Sequence, residues 1–422
     1  MKNILIKTAA LLIAISAAHL NAQDKATLDL LVSKGVISRD EADKVSKGAV
    51  VVKAKDKAAK KLTFSGRIQE QFQWLNTDPS AAASPSSKMG FQMRRLYLGV
   101  NAELGSGFYG AVIADFAKTG TNGADYIEEA YLGKKVELDF ISGSLDFGYR
   151  KVQFAFEENV SSSSLLSIER SIVTRYFVEP QKSGTSRNLG FGSHYTGAFW
   201  QGRVKQVEGL GYGVAVTNSQ NYAFKPGATG AAGDADNNLN VFANLSYETK
   251  IDAVSLKVGV NGGWGPSANI VSTGNYGEIL AANPYLQVKW DGLTVWGDFL
   301  VASVGKGKNG AGERATPMGL NIGAEYLFDV GEMGKVGPSV RYSWLDTDGR
   351  GVRIGDGMSG APNAGDFNGA QSVMIGANWY IIGNALKFQA GYEWAQFNGR
   401  VASSYSGHTD AHGLRMQVQL LF

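Results

Sequence analysis

The sequence predicts an all-β fold, a transmembrane antiparallel β-barrel of about 16 strands preceded by a short N-terminal helical segment. Three observations predict it. Residues 414–422 (LRMQVQLLF) alternate strictly, with Leu414, Met416, Val418, Leu420 and Phe422 on one face and Arg415, Gln417 and Gln419 on the other. A strand with lipid on one side and water on the other needs that period-two split, and a final aromatic suits a barrel's last strand. No segment beyond residue 22 approaches 18 consecutive apolar residues, so a chain of this composition crosses a membrane as strands. Finally, the alternating segments are separated by gaps that are short and long in turn, as turns on one side of a barrel and loops on the other require.

Residues 1–22 place Lys2 and Lys7 before an apolar run over residues 11–18 and end in small residues before Gln23. This is the pattern of a secretory signal peptide, cut after Ala22 or after Ala18. Its removal takes two lysines and leaves 39 basic against 38 acidic residues, a balance that gives no support to nucleic-acid binding. Residues 23–61 read as a periplasmic helical hairpin and linker. Leu28, Leu31 and Val32, then Ala42 and Val45, fall at helical spacing about a turn over residues 34–37, and Ser38 with Glu41 forms a capping box. The lysine- and alanine-rich run over residues 47–61 reads as a solvated linker.

Residues 62–422 read as the barrel. Short connections fall near residues 105–106, 139–141, 206–209, 251–252, 291–292, 330–334 and 382–384. Long polar ones fall near residues 77–88, 119–125, 152–186, 219–237, 265–278, 305–315, 347–368 and 399–408. Both termini then lie at the short-turn end, and a barrel of this size keeps an aqueous lumen. With 54 glycines, 9 prolines and 11% aromatics, the composition suits glycine-rich turns and interfacial girdles. Parity puts Arg67, Gln69 and Gln71 inside and Phe64, Ile68, Phe72 and Trp74 outside; Glu70, on that outer side, must then sit near a neighbouring chain or the assignment slips. Arg95, Lys135, Arg150, Lys257, Lys289, Arg341, Lys387 and Arg415 also fall inside, together with Glu103, Asp115, Glu129, Glu137, Asp146, Asp298, Glu325 and Glu393. A lumen so nearly balanced draws any ion selectivity from local clustering at a constriction.

The gap between Lys151 and Arg187 is too long for a simple loop tip and carries Glu157, Glu158, Glu169, Arg170, Arg175 and Glu179 beside four consecutive serines from Ser161. Long loops of this kind are usually functional: over residues 152–186 this one either folds inward and narrows the lumen or stands outside as an extracellular loop that pairs its own charges. Residues 148–154 (GYRKVQF), with Glu157, Ser161 to Ser163 and Ile168-Glu169-Arg170-Ser171, resemble the signature of the phosphate-selective porin O and P family. Residues 94–99 (RRLYLG), 130–133 (AYLG), 341–346 (RYSWLD) and 376–380 (GANWY) match that family in order. The resemblance implies a homotrimer of 16-stranded barrels, each with an inward-folded third loop, in the outer membrane of a Gram-negative bacterium. It also implies passive, energy-free diffusion of small anionic solutes; Lys151 fits the family's lysine position, and Arg150, Arg67, Arg95, Arg341, Arg170 and Arg175 are the further cations expected at the pore. Gln153 stands where the family has proline, which leaves the start of the loop less fixed.

Other classes fit less well. The mature chain has His194, His408 and His412, with no catalytic motif around them, so no enzyme is expected. Residues 346–349 and 234–238 resemble fragments of calcium loops without the closing glutamate, and no cofactor or metal is expected. The absence of cysteine removes disulfides and thiolate chemistry. Two alternatives stay open. One is a general or sugar porin, for which an inward Trp296 is the relevant feature; the other is a structural barrel whose residues 24–60 hold a periplasmic or cell-wall partner.

Overall fold

The computed structural model describes residues 50–52, 59–78, 86–118, 126–180, 187–219, 238–266, 269–270, 274–275, 277–308, 312–401 and 407–422. The expected signal peptide and helical hairpin lie outside the described residues. Sixteen long strands form the wall. The first eight are β1 (Ala59–Thr77), β2 (Ser86–Leu104), β3 (Phe108–Asp115), β4 (Ile127–Glu137), β5 (Ile141–Lys151), β6 (His194–Val204), β7 (Leu210–Asn218) and β8 (Leu239–Ile251). They continue as β9 (Val254–Gly265), β10 (Ile279–Trp290), β11 (Leu293–Lys308), β12 (Met318–Tyr326), β13 (Lys335–Asp346), β14 (Phe367–Asn384), β15 (Leu386–Arg400) and β16 (His408–Leu421).

Each strand pairs antiparallel with the next, and β16 closes on β1 from Arg67↔Leu421 to Thr77↔Ala411. The result is a closed 16-strand antiparallel barrel. Closure satisfies every strand edge, which a sheet in lipid must do because no water is available to its backbone. The turn end is tight. Asp291 and Gly292 both take positive φ, 41° and 83°, and join β10 to β11 as a two-residue hairpin in register Trp290↔Leu293.

The run expected to be a solvated linker departs from that reading. Val50–Val52 pairs with β1 at Val50↔Phe64, and β1 itself begins at Ala59. Three consecutive valines favour the extended backbone. They cover the part of the β1 edge that β16 leaves open below Arg67.

Outward faces carry an exposed apolar band, including Leu98, Val112, Leu132, Phe147, Leu245, Val258, Leu286, Ile322, Val340 and Ile375. Exposed aromatics flank it, with Trp290, Phe328, Trp379 and Phe388 toward the turn end and Trp264 and Trp344 toward the loop end. Glu70 faces outward as parity requires. It borders a groove of about 690 Å³ with Phe72, Phe91, Trp379, Phe388 and Met416.

The lumen is partly filled. The described residues of the third loop, 152–180 and 187–193 (L3), fold inward with two short helices, α1 (Phe156–Asn159) and α2 (Ile172–Val178). Residues 187–193 belong to this loop, and one strand, β6, follows it. The seventh loop, residues 347–366 (L7), also turns inward and carries α3 (Ile354–Gly357). Val152, Phe154, Ile172, Val173, Tyr176, Phe177 and Phe191 of L3 pack with Val352, Ile354 and Met358 of L7. They meet inward apolar residues of the wall, among them Leu75, Phe199, Phe242, Leu300, Leu345, Phe367 and Phe397. Val152 and Phe154 bury the start of L3, so the loop is held there without a proline at Gln153.

The last residue closes the seam. Phe422 donates its N–H to Gly66 O at 3.1 Å and accepts from Gly66 N at 2.6 Å, and its ring lies where a Gly66 Cβ would stand. Gly66→Val is therefore expected to cost about 1–3 kcal/mol through overpacking at this seam. The measurement is the heat-modifiable folded band on a gel, which should weaken in Gly66→Val and persist in Gly90→Ala, where a Cβ meets nothing within 4 Å.

Candidate functional site

L3 leans on one side of the barrel because its backbone needs partners there. From Ser162 to Leu166 the loop runs without helix or strand, so its carbonyls must find donors on the wall. Gln69 Nε2 donates to Ser162 O at 3.2 Å, Lys387 Nζ and Gln419 Nε2 to Ser163 O at 2.9 and 3.1 Å, and Asn378 Nδ2 to Leu166 O at 2.9 Å. These donors stand on β1, β14, β15 and β16. The amide-rich inner face of those strands is thus a docking strip for loop backbone.

Arg341, on β13, is the charged centre of the attachment. Its guanidinium donates to Glu157 at 3.1 Å, Glu393 at 3.0 Å, Ser167 Oγ at 2.7 Å and Glu169 O at 2.7 Å, and its side chain is 2% exposed. Glu157 also accepts from Ser171 N at 2.9 Å, while Ser171 Oγ caps α2 by accepting from Thr174 N at 3.0 Å. One arginine thereby ties α1, the approach to α2 and strand β15 together.

The apolar core inside the barrel draws wall residues from β6 round to β1, and none from β2 to β5 among the described residues. The inner face of β2–β5 is where charge gathers. Arg150 pairs with Asp146 and lies over the Tyr131 ring at 4.7 Å. Lys151 reaches Glu158 at 2.8 Å, and Arg170 from L3 reaches the same carboxylate at 2.6 Å. Arg67 lies over the Tyr97 ring at 4.8 Å and donates to Ser162 Oγ. Lys118 meets Glu128 at 2.6 Å, and His194 Nε2 stands 3.9 and 3.8 Å from Glu128 and Glu129.

Of the seven cations expected at the pore, the structure brings Arg67, Arg150, Lys151 and Arg170 together on this side. The other three are enclosed. Arg341 is spent on L3, and Arg95 donates to Gln69 at 2.8 Å inside the wall. Arg175 pairs with Glu179 at 2.6 Å and donates to Asp356 O and Gly355 O, both at 3.2 Å, which joins L3 to L7.

Parity alone overlooks two members of the cluster. Gln69 pairs with Arg95 while Glu70 pairs with Met93, so Arg94 is the extra residue of a β-bulge, and it turns inward to Glu169 at 2.6 Å. Glu128 is the extra residue of a second bulge, between Ile113↔Glu129 and Ala114↔Ile127. Adjacent charges in Arg94-Arg95 and Glu128-Glu129 are the signal, because strict alternation would press one of each pair into lipid.

The carboxylates of L3 are held ionised. Burial raises the Glu158 carboxyl, but Arg170 and Lys151 outweigh it and hold it at about 2. Burial likewise opposes, and Arg94 overcomes, at Glu169, which lies well below the ordinary glutamate range.

Two expectations follow from these contacts. Arg341→Met leaves Glu157 buried without its cation and Glu393 with Arg415 alone, at 3.4 Å, a change that costs about 3–5 kcal/mol. Single-channel recordings should then show a larger and noisier conductance as L3 loosens. The second concerns acid. Since the folded-state Glu158 is depressed, its contribution is complete above the ordinary glutamate range and is lost as pH falls toward about 2. Current noise should stay flat from neutral pH down to that range and rise below it, and Glu158→Gln should be noisy at neutral pH already.

Known structures share this architecture. Salmonella typhi OmpF, in a complex with daunomycin, superposes with a TM-score of 0.52 at 16% identity, over 88% of this chain and 100% of that one. Pseudomonas putida OprB, in a high-pH structure, gives a TM-score of 0.50 at 9% identity, over 85% of this chain and 94% of that one. At such identities the likeness is one of fold. No curated protein sequence matches the chain. Over residues 63–263, which span β1 to β9 with L3 and the charged face of β2–β5, the chain matches the family described as phosphate-selective porin O and P.

Proposed function

We propose that this chain is an outer-membrane porin through which small anionic solutes, phosphate-like in charge, diffuse passively along the β2–β5 face of the lumen. The observation that carries the reading is an asymmetry within five ion pairs. In Arg94–Glu169, Lys118–Glu128, Arg150–Asp146, Lys151–Glu158 and Arg170–Glu158 the cation is in every case the more exposed member. The cations keep 13–32% side-chain exposure, and Glu169, Asp146 and Glu158 keep 5% or less. These five pairs thus offer a permeating ion mostly their positive members, with Glu129, 22% exposed, the acidic exception on that face. The porin fold, the family match over residues 63–263 and the outward apolar band support the outer-membrane setting.

A homotrimer belongs to the same proposal. The outward groove around Glu70, an acidic group among Phe72, Phe91, Trp379 and Met416, supports a covered surface there. The alternative of a structural barrel rests on residues 24–60, of which only Val50–Val52 and the start of β1 are described.

The test is the reversal potential of the purified protein in a planar bilayer under a chloride salt gradient. Anion selectivity is expected, with inorganic phosphate reducing the chloride current. Arg150→Gln with Lys151→Gln should lower the anion-to-cation permeability ratio by about twofold or more. A cation-selective or unselective current in the unmodified protein would overturn the reading.

A further inference from the structure

A second cavity lies on the other side of L3, against β9–β11, with a volume of about 370 Å³. That is within the range of small-molecule sites. Its wall is laid out by strand register. Lys257 stands opposite Gln287, which stands opposite Trp296; Lys289 stands opposite Thr294 in the next inward row toward the turn end. With neighbouring strands about 4.8 Å apart, the two lysines are diagonal neighbours and the row from Lys257 to Trp296 spans about 10 Å.

The aromatic side is held flat by glycines. A Cβ at Gly323, opposite Trp296, would fall 2.6–2.9 Å from the indole, and one at Gly259, opposite Tyr285, would fall 2.5 Å from the phenol oxygen. Both rings therefore press against the wall instead of standing up into the space. Phe156 of L3 stacks on Tyr285 at 4.8 Å and meets Trp296 at 5.7 Å, which fixes the shelf from above.

Charge in the cavity is one-sided. Glu157, the acidic residue that borders it, is taken by Arg341 and Ser171 N. Lys289 has no ion-pair partner among the described residues, and the nearest carboxylate to Lys257 is Glu248 at 4.0 Å. Two available ammonium groups, an amide and a hydroxyl beside an aromatic shelf make a site for an anionic group carried on a polar ring.

We propose that this cavity binds a sugar phosphate, with the phosphate on Lys257 and Lys289, the hydroxyls on Gln287 and Thr294, and the ring at the edge of the Trp296 shelf. The site rests on the porin reading and adds to it a class of solute held inside the lumen beside the β2–β5 path. Its test uses no ionic current, so its failure leaves that reading standing.

Isothermal titration calorimetry of the folded protein in detergent, with glucose 6-phosphate as the probe, decides the matter. Saturable binding is expected. It should weaken at least about tenfold in Lys257→Gln with Lys289→Gln, and measurably in Lys289→Gln alone, whose exposed side chain makes misfolding no explanation. Glucose and inorganic phosphate, each offered alone, should bind more weakly than the ester. Absence of saturable binding, equal affinity in the folded double variant, or inorganic phosphate binding as tightly as the ester would each overturn the proposal.

Discussion

A closed barrel of 16 strands encloses more space than inward side chains can fill, and the attachment of L3 to one half of the wall decides what that space becomes. Two kinds of force hold it. Apolar residues of L3 and L7 bury against β6 round to β1, and polar loop backbone is received by side-chain amides of β1, β14 and β16 and by Lys387 and Gln389 of β15. Neither suffices alone. The apolar packing sets depth, and the amide row with Arg341 sets position, because an unpaired carbonyl in that interior would cost more than the packing of one side chain returns.

From that placement the electrostatics follow. Residues enclosed beneath L3 and L7 on the covered half become structural whatever their charge, which is why Arg341 and Arg175 are nearly inaccessible. Those on the uncovered half keep water. In Arg94–Glu169, Arg150–Asp146 and Lys151–Glu158 the carboxylate lies deeper than its cation, so a nearly neutral lumen acquires a positive lining over a limited stretch. The charge count of the chain says nothing of this; the order of burial within each pair does.

Much of the barrel was legible in the sequence for a physical reason. Strand period is exactly two residues only where pairing is regular, so alternation in β1 or β16 assigns every face at once, and the turn at Asp291-Gly292 announces itself through residues that accept positive φ. The bulges at Arg94 and Glu128 were not assigned, because one inserted residue shifts parity without changing composition. Nor did the pattern say which cations in L3 and the wall stay wet. That depends on which half of the barrel the loop covers, a choice made by contacts between residues such as Ser163 and Gln419 that are far apart in the chain. The inward turn of L7 was likewise hidden, since its apolar residues Val352, Ile354 and Met358 are scattered among glycines.

The central claim is that L3 rests fixed against the β6–β1 half and that the passage runs elsewhere. Val173 of α2 and Gly319 of β12 test it, because a Cβ at Gly319 would lie 2.5 Å from Val173 Cγ1, and the chain contains no cysteine to interfere. In Val173→Cys with Gly319→Cys, mild oxidation should form a disulfide in the folded protein, seen as a gel mobility shift reversed by reductant. Single-channel conductance should be the same in the oxidised and reduced forms. Failure of the folded protein to cross-link, or a conductance abolished by the bond, would contradict the account.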